Sequence, residues 1–512
     1  MTGQEIELKL GLTPDDADEL RGHSCLVSLA KAPPATRSLV STYFDTPNFA
    51  LAAAGLSLRI RQTGRGLVQT VKTAGTGTSG LFCRGEWEAP VDSLEPDAAH
   101  LLETAQPLLA DAEVVAALRP VFTTRFERTL FRLAEDGVWE VEAALDSGEV
   151  TAGPHSAPIS ELELELISGR PEHLFLLARR VTAAVAARPQ TLTKSDHGYR
   201  LAAGGMDRPV KGRPPRLSPD MTVAGAFQAI ARSCLDHLLV NERCLLSTRD
   251  GEAIHQMRVA LRRLRSALKI FRPVVVRDAR LPELRREMGW LLESLGPARD
   301  AEVFVAEILD PVAKAHPDHD GLAALRAYWL ADHGVRTAAA LEAVASRRFA
   351  RLVLELGEWV EAGPWLGTPD FPGSRRLAAP ILPFATARMG KAARKLLAAA
   401  DDHLGRLTHE ELHEVRILGK QVRYAGEFFA ALVPRKQMKV YLAELAELQG
   451  VLGQLNDIAV AAPKLTGRHM AGGRAKAAGL VAGWHQSRRS VLLKEAEKAW
   501  KRWRALALPW DG

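Results

Sequence analysis

Charged and apolar residues alternate in two stretches of the sequence, one near the start and one around residue 163. Each stretch predicts a β-strand, because alternate side chains of a strand point to opposite faces. The charged residues that would share a face are Glu5, Glu7 and Lys9 in the first strand and Glu161, Glu163 and Glu165 in the second. Carboxylate oxygens are the ligands that hard cations such as Mg2+ prefer. One such strand alone is typical of a solvated edge, whereas the pair favours a divalent-cation site.

Basic residues follow the same alternation on further predicted strands. The basic residues on these strands are Arg59, Arg61, Lys72, Arg84 and Arg128, and Arg125 is the alternative to Arg128 on the same strand. Lys194, which follows a predicted helix, joins this set. Arg and Lys bind phosphate oxygens, and Arg often does so in a bidentate manner. If these faces pointed outward, the sheet would be a plain sandwich. If they point inward, they line a charged tunnel that suits a ligand made of phosphates and metal.

The elements that must position these side chains are short strands with few helices. The predicted strands cover residues 4–11, 38–44, 56–62, 67–73, 82–91, 122–133, 138–145 and 159–167, and the predicted helices cover 15–29, 97–119 and 171–188. Eight strands in about 200 residues fit one barrel domain. The fold class we predict is therefore a multidomain α+β protein that begins with an eight-stranded antiparallel β barrel or tunnel and flanking helices.

The ordered set of these residues resembles the CYTH domain of the triphosphate tunnel metalloenzyme superfamily. The matching features are Glu5-x-Glu7-x-Lys9, the turn Tyr43-Phe44-Asp45-Thr46, Leu58-Arg59-Ile60-Arg61, Lys72, the strand from Arg128 to Phe131, Leu145-Asp146 and Glu161-x-Glu163. The resemblance covers residues 1–205 and implies a tunnel that hydrolyses or cyclises triphosphates with Mg2+ or Mn2+.

The resemblance also implies a role for each site residue. The implied metal ligands are Glu5, Glu7, Asp146, Glu161 and Glu163, and Glu165 is the least certain acid. The implied phosphate-binding residues are Lys9, Arg59, Arg61, Lys72, Arg84, Arg128 and Lys194. The implied catalytic residues are Glu5, Glu7, Lys9, Arg59 and Arg61. Phosphoryl transfer needs positioning and charge neutralisation more than a protein nucleophile. Lys9 would lie near the attacking water or the leaving oxygen.

The sequence has no GxxxxGK[ST] phosphate-binding loop. Its glycine-rich stretch, residues 75–80, lacks the Lys-Ser/Thr that would follow such a loop. We interpret this stretch as a hairpin connection and not as a phosphate cradle.

The charge of the chain is divided unevenly. Of 512 residues with a net charge of +6, residues 1–205 hold 19 Lys and Arg against 27 Asp and Glu, a net charge of −8, which leaves +14 for the remainder. An acidic first part and a basic second part predict a cation-dependent half and an anion-binding half. Four cysteines without metal-ligand spacing fit a reducing compartment. We expect a cytoplasmic protein without signal peptide or membrane span.

A Gly-, Pro- and Arg-rich stretch at residues 206–219 predicts a linker, after which long helical runs begin. We expect an all-α domain over residues 220–505, duplicated as about 220–370 and 380–505. The duplication rests on a first basic row, His255, Arg258, Arg262 and Arg265, and a second basic row, His413, Arg416, Lys420 and Arg423, each offset by 158 positions from the other. Phe271 and Phe429 share this offset, and Asp300 matches Asp457 at 157.

Each basic row lies on one stripe of a helix, where like charges repel. A solvated helix face explains one copy, and two copies favour a groove for a polyanion. The absence of a recognisable nucleic-acid-binding signature and an aromatic content of 6% argue against nucleic acid. The rows resemble the CHAD domain, which is associated with inorganic polyphosphate, and this resemblance implies that both rows bind polyphosphate. The second row departs from the first in having Lys420 at the position equivalent to Arg262. The histidines would bond phosphate or orient the Arg residues.

The function that we predict is hydrolysis of inorganic triphosphate in the tunnel, joined to polyphosphate binding by the helical domain. A partner domain for phosphate chains favours a substrate that is only phosphate. The alternatives are a non-catalytic polyphosphate-binding or granule-targeting protein, and a tunnel that acts on thiamine triphosphate or cyclises ATP. The sequence gives neither the metal preference nor the oligomeric state.

Overall fold

The chain folds into two compact units. The computed structural model describes residues 2–64, 66–205, 207–275, 278–366, 373–400, 403–466 and 471–510. The first unit comprises Met1–Asp207 together with Ser346–Gly363, and the second comprises Arg208–Ala345 with Pro364–Gly512. Two predicted boundaries, the linker start at residue 206 and the end of the first repeat at residue 370, lie outside the described residues. No helix in the described part is long and apolar enough to cross a membrane.

The first unit is built on an antiparallel sheet that closes on itself. Its strands are β1 (Thr2–Gly11), β2 (Ala35–Asp45), β3 (Leu56–Thr63), β4 (Gly66–Thr73), β5 (Leu81–Val91), β6 (Arg119–Glu135), β7 (Trp139–Ala152), β8 (His155–Ser168) and the short β9 (Arg188–Pro189). The order is β5-β4-β3-β2-β6-β7-β8-β1-β9, and pairing of β5 with β1 closes a barrel of eight strands. The eight predicted strands and the barrel are confirmed.

Both faces of β1 are buried, which excludes the solvated edge strand considered above. Leu8 and Leu10 pack outside the barrel against helices, in a core that contains Leu20 and Leu174. Lys9, on the opposite face, is only 2% exposed although it faces the barrel interior. The strand pairs with β5 on one side and β8 on the other. The charged row therefore points inward, as the tunnel hypothesis predicts.

Short helices cover the outside of the barrel. They are α1 (Pro14–Gly22), α2 (Ser24–Val27), α3 (Ala50–Ala53), α4 (Ala98–Leu102), α5 (Ala112–Ala116), α6 (Pro171–Ala184) and α7 (Lys194–Ala202). The single helix predicted over 15–29 is wrong in its continuity, because His23 is extended and its ring accepts from Cys25 N to start α2. The helix predicted over 97–119 is likewise divided, with a 3-10 turn at Pro107–Ala110.

One helix of the barrel unit comes from much later in the sequence. Helix α14 (Arg347–Ala362) packs against α6, and Leu354 belongs to the same core as Leu174. Glu358 forms an ion pair with Arg179 of α6. Residues 346–363, which sequence patterns assign to the helical domain, thus complete the core around the barrel.

The second unit is helical. Its helices are α8 (Val223–Thr248), α9 (Gly251–Ile270), α10 (Arg272–Val275), α11 (Leu281–Val303), α12 (Asp310–Ala315), α13 (Asp320–Ala345), α15 (Ser374–Leu377), α16 (Ile381–Ala399), α17 (His409–Phe429), α18 (Arg435–Leu465) and α19 (Gly473–Arg504). The first basic row lies on α9 and the second on α17, and these two helices contact each other. The largely helical second half is confirmed.

Candidate functional site

The barrel encloses a cavity of about 210 Å³ that is lined almost entirely by charged and hydroxyl side chains. Strands β1 to β8 contribute through their inward positions, and α7 contributes through its first turn. Predicted site residues that line it are Glu5, Lys9, Arg59, Arg61, Lys72, Arg84, Arg128, Glu163 and Lys194. Glu7, Asp146 and Glu161 are fully buried beside this lining. The structure therefore brings every predicted tunnel residue to one place.

Glu5 is held by two cations from neighbouring strands. Lys72 Nζ donates to both carboxylate oxygens of Glu5, at 2.8 and 2.9 Å, and Arg84 Nε donates to one of them at 2.8 Å. Burial alone would raise the pKa of Glu5, but the charges of Lys72 and Arg84 outweigh it and hold the pKa below its usual value. Arg84 also pairs with Glu7. Glu5 is thus ionised and fixed at the cavity wall.

Lys9 lies between two carboxylates at the end of the charged row. It donates to Glu163 on β8, and its Nζ lies 3.2 Å from Glu7. Burial would lower the pKa of Lys9, but Glu163, Glu7 and Glu161 together raise it above its usual value. The side chain is therefore a buried cation and is unsuited to accept a proton.

Three carboxylates from β7 and β8 gather around Lys194. Asp146, Glu161 and Glu163 offer oxygens within 4.8 Å of one another. Lys194 Nζ lies 2.6 Å from Asp146 and 3.0 Å from Glu163, and it donates to Glu161. Burial opposes the charge of Lys194, yet Asp146, Glu161 and Glu163 raise its pKa. An all-oxygen donor set of this size fits a hard divalent cation.

The three carboxylates are also tied to Arg128. Its guanidinium donates to both oxygens of Asp146, at 2.8 and 2.7 Å, and to Glu163 at 2.5 Å. Arg128 lines the cavity whereas its alternative, Arg125, is exposed, so the structure decides between the two. Of the five predicted metal ligands, Asp146, Glu161 and Glu163 form this group. The other two, Glu5 and Glu7 on β1, pair with cations that include Arg84 of β5.

Arg61 differs from its neighbours because it makes no salt bridge with any described residue. Its Nε donates to the Ser41 hydroxyl at 3.2 Å. Burial, Arg59 and Arg128 together lower the pKa of Arg61 to about 9. Arg59 has only distant acids, at 3.9 Å from Glu86 and 3.8 Å from Glu88. Glu86 and Glu88 thus offset part of the Arg59 charge, whereas the Arg61 charge has no carboxylate partner among the described residues.

Sequence reasoning missed several lining residues. Arg37, Ser57, Thr70 and Glu142 also face the cavity. Glu142 could have been predicted, because it lies four residues before Asp146 on the same strand and therefore points to the same face. Arg37 was missed because the predicted strand began at residue 38, whereas β2 begins at Ala35.

Glu165 also lines the cavity, as its parity on β8 indicated. Burial and the charge of Glu5 raise the pKa of Glu165 to about 7. A carboxyl group with this pKa can exchange a proton near neutral pH.

The glycine-rich stretch connects β4 to β5, as predicted, and supports the Lys9 backbone. Lys9 N donates to Gly80 O at 2.9 Å. Gly77 and Gly80 have positive φ angles of 132° and 87°. A Cβ at Gly77 would lie 2.3 Å from Leu81 O, so the turn requires glycine there. The glycine-rich stretch therefore stabilises the β1 backbone through a main-chain hydrogen bond.

In the helical unit, the two basic rows approach each other. Burial, Arg416 and Arg262 together lower the pKa of Lys420 to about 7. Burial lowers the pKa of Arg416, and Arg262 contributes to the shift from the other row. Arg416 Nε is buried and has no hydrogen-bond partner among the described residues. Asp457 offsets part of this charge, and the remaining positive charge collects where α9 meets α17.

The remaining members of the two rows have varied surroundings. Arg258 is largely buried, and its Nη1 donates to Leu292 O at 2.9 Å. His413 Nδ1 bonds Asn456 Oδ1 at 2.9 Å. Arg262 and Arg265 are exposed, and Arg423 pairs with Glu427 at 3.3 Å. His255 is half-buried, and burial together with the charge of Arg299 lowers its pKa.

Comparisons with known proteins divide the chain in the same way. The CYTH domain model matches residues 3–199, and the CHAD domain model matches residues 229–466. The inorganic triphosphatase of Haemophilus influenzae is 34% identical over 200 residues, which cover 39% of this chain and 55% of that protein. The match thus spans about half the length of that relative.

Two further similarities extend into the helical half. An uncharacterized protein of Mycobacterium tuberculosis is 27% identical over 481 residues, covering 87% of this chain and 86% of the relative. The crystal structure of the CHAD domain from the plant Ricinus communis is 30% identical with a TM-score of 0.52, covering 59% of this chain and 99% of that one.

Proposed function

Because this chain belongs to the CHAD family and carries a CYTH domain before its CHAD domain, we propose that its tunnel hydrolyses inorganic triphosphate to diphosphate and phosphate. The observation that carries the proposal is Arg61, a partly buried cation inside a closed barrel that bonds Ser41 and has no carboxylate partner among the described residues. A buried charge without a partner is costly. A phosphate oxygen is the kind of group that would relieve this cost.

The cations of the tunnel have distinct tasks in this proposal. Arg59, whose acidic partners lie at 3.8 and 3.9 Å, and Arg61, which has none among the described residues, bind the phosphate oxygens. Arg84 and Arg128, which are tied to carboxylates, hold those acids in place and neutralise part of the charge of the bound chain. Lys9 acts as a fixed positive charge close to the reacting phosphate, since its pKa is raised and it keeps its proton.

CYTH tunnel metalloenzymes use divalent metal ions, and the donor set found in this chain fits one. Asp146, Glu161 and Glu163 would hold the ion, with Glu5 and Glu7 as the further predicted ligands on β1; Mg2+ and Mn2+ are the ions that we propose. Such an ion would neutralise charge on the phosphate chain and lower the pKa of bound water. Glu165 lies beside this group and would orient the attacking water.

The cavity favours a substrate without an organic group. Pockets for organic ligands are typically ~300–1,000 Å³ and largely apolar. The tunnel cavity is about 210 Å³ and its lining is charged. Thiamine triphosphate and ATP would place a ring system in this polar space, so inorganic triphosphate is the better match.

For the helical unit, we propose that the two basic rows bind inorganic polyphosphate. Support comes from Arg262, Arg416 and Lys420, which lie close together without a salt bridge to any described residue, and from the CHAD family match. Polyphosphate binding would place the protein on polyphosphate granules in the cytoplasm. The first row keeps Arg where the second has Lys420, and both side chains bind phosphate.

The test is phosphate release from triphosphate with Mg2+ or Mn2+, compared with a Glu5→Gln/Glu7→Gln variant. Glutamine replaces glutamate because alanine would remove both hydrogen-bond acceptors of Arg84 and would leave Lys72 with Glu86 alone. Glu127→Gln, an exposed position on β6, is the matched control. We expect hydrolysis by the wild type and the control, and loss of about 100-fold or more in the double variant.

The same assay separates the alternatives. Equal phosphate release by the wild type and the double variant would favour a non-catalytic polyphosphate-binding protein. A panel of triphosphate, ATP, thiamine triphosphate and long polyphosphate tests the substrate. Faster turnover of either organic triphosphate would contradict the assignment of inorganic triphosphate.

A further inference from the structure

A second basic cavity lies in the helical unit, between α9, α10, α16 and α17. Its volume is about 370 Å³. Five basic side chains line it, and none of the described lining residues is acidic or aromatic; the five are Lys269, Arg272, Arg388, Lys391 and Lys395. None of these belongs to either basic row.

Helix α16 supplies a row of its own. Arg388, Lys391 and Lys395 are spaced by three and four residues, so they share one helix face. The Arg388 guanidinium lies over the ring of Phe384, 5.1 Å from its centroid, which restricts its orientation. Arg388 Nε is buried and has no hydrogen-bond partner among the described residues. The row therefore points a fixed, incompletely satisfied cation toward the cavity.

Within the described part of the chain, no acidic side chain forms an ion pair with these five cations. Burial and the neighbouring Lys395 lower the pKa of Lys269. Burial and Arg376 lower the pKa of Arg388. Groups that meet like charges in a concave space gain most from a bound anion with several charges.

The cavity continues the first basic row along α9. Arg258, Arg262 and Lys269 lie on one stripe of this helix, because their spacings of four and seven residues keep them on one face. The helix rise places Lys269 about 17 Å beyond Arg258. A chain of phosphates that followed this stripe would enter the cavity.

We propose that this cavity is a distal phosphate subsite, which binds the continuation of a polyphosphate chain held by the first basic row. The inference rests on the proposed polyphosphate binding and adds a third group of cations on α16. The subsite makes affinity depend on chain length, since only a chain longer than the spacing along α9 reaches both places. A lining without aromatic rings suits phosphates better than stacked bases.

The test uses the full-length protein with Lys391→Glu/Lys395→Glu. The control is Lys436→Glu/Lys439→Glu on α18, an equal change of charge at exposed positions that do not line the cavity. Binding is measured by isothermal titration with polyphosphate fractions shorter and longer than about 17 Å when extended. A third variant, Arg258→Glu/Arg416→Glu, reports on the two basic rows.

We expect the α16 variant to bind long polyphosphate about tenfold or more weakly than the control, with the short fraction unaffected. If the α16 variant and the control bind long chains equally while the row variant loses binding, the distal subsite is wrong and the proposed function stands. If the wild type binds no polyphosphate, the proposed function of the helical unit fails as well. RNA that competes as strongly as polyphosphate at equal salt would overturn the choice of ligand.

Discussion

The rings of Phe271 and Phe429, which occupy equivalent positions in the two repeats, lie with their centroids 6.1 Å apart in the core of the helical unit. Both side chains are buried. Contact between equivalent residues brings α9 and α17 together, and with them the two basic rows. The predicted duplication thus carries its two basic rows on helices that contact each other.

Lys420 should make polyphosphate binding sensitive to pH. It faces Arg416 and Arg423 on its own helix, Arg262 on α9 and Asp457 on α18, and burial with these cations lowers its pKa to about 7. A bound polyanion favours the charged form, so affinity should be highest below about pH 7 and fall as the pH rises above it. Titrations at pH 6 to 9 measure this dependence. In Lys420→Arg the side chain stays charged, so polyphosphate affinity should vary less with pH than in the wild type. If the variant and the wild type show the same pH dependence, Lys420 is not the group that titrates.

Arg61 and Arg128 should differ in their effects on stability. Arg128→Ala removes partners from the buried Asp146 and should lower the free energy of unfolding of the tunnel unit by about 2–3 kcal/mol. Arg61→Ala leaves no carboxylate unpaired and should change it by about 1 kcal/mol or less. Denaturant unfolding of both variants tests the difference.

Arg61→Ala should instead impair turnover. We expect kcat/KM for triphosphate to fall by about 100-fold, because a phosphate-binding cation is lost without a change in folding. An Arg61→Ala protein with wild-type kcat/KM would show that this side of the tunnel does not bind the substrate.

The three-carboxylate group should bind a divalent ion even without substrate. Glu163→Gln removes one charged oxygen donor and should weaken Mn2+ binding by about tenfold or more. Electron paramagnetic resonance of free Mn2+ measures this directly, independently of turnover. Glu149→Gln, at an exposed position of β7, is the matched control, and equal Mn2+ affinity of the two variants would contradict the site.

Leu354 should stabilise the tunnel unit although it is encoded within the helical half. Leu354→Ala removes a buried side chain from the core around the barrel and should cost about 3 kcal/mol. Heating should then abolish triphosphate hydrolysis at a lower temperature while polyphosphate binding persists. Val335→Ala, an exposed residue of α13, is the control. If heating instead abolished polyphosphate binding before triphosphate hydrolysis, the assignment of α14 to the tunnel unit would be wrong.

The strands were predictable because charged and apolar residues alternate along them. The resemblance to the CYTH domain then assigned Arg59, Lys72 and Glu163 to the interior of the tunnel. The break at His23 was not, since a side-chain cap decided it. Arg37 was missed with the first residues of β2. The placement of α14 could not be predicted, because its amphipathic pattern fits either unit and only tertiary packing against α6 decides between them.

The position of α14 also determines how the chain responds to cleavage. The polypeptide passes from one unit to the other three times, near residues 207, 345 and 363. A protease that cuts in the 208–219 stretch would sever only one of these passages. The amino-terminal fragment would stay attached through α14, whose Leu354 is buried in its core. A gene truncated at residue 205, in contrast, would encode a barrel with an uncovered apolar face on α6, and such a fragment should aggregate where the nicked protein does not.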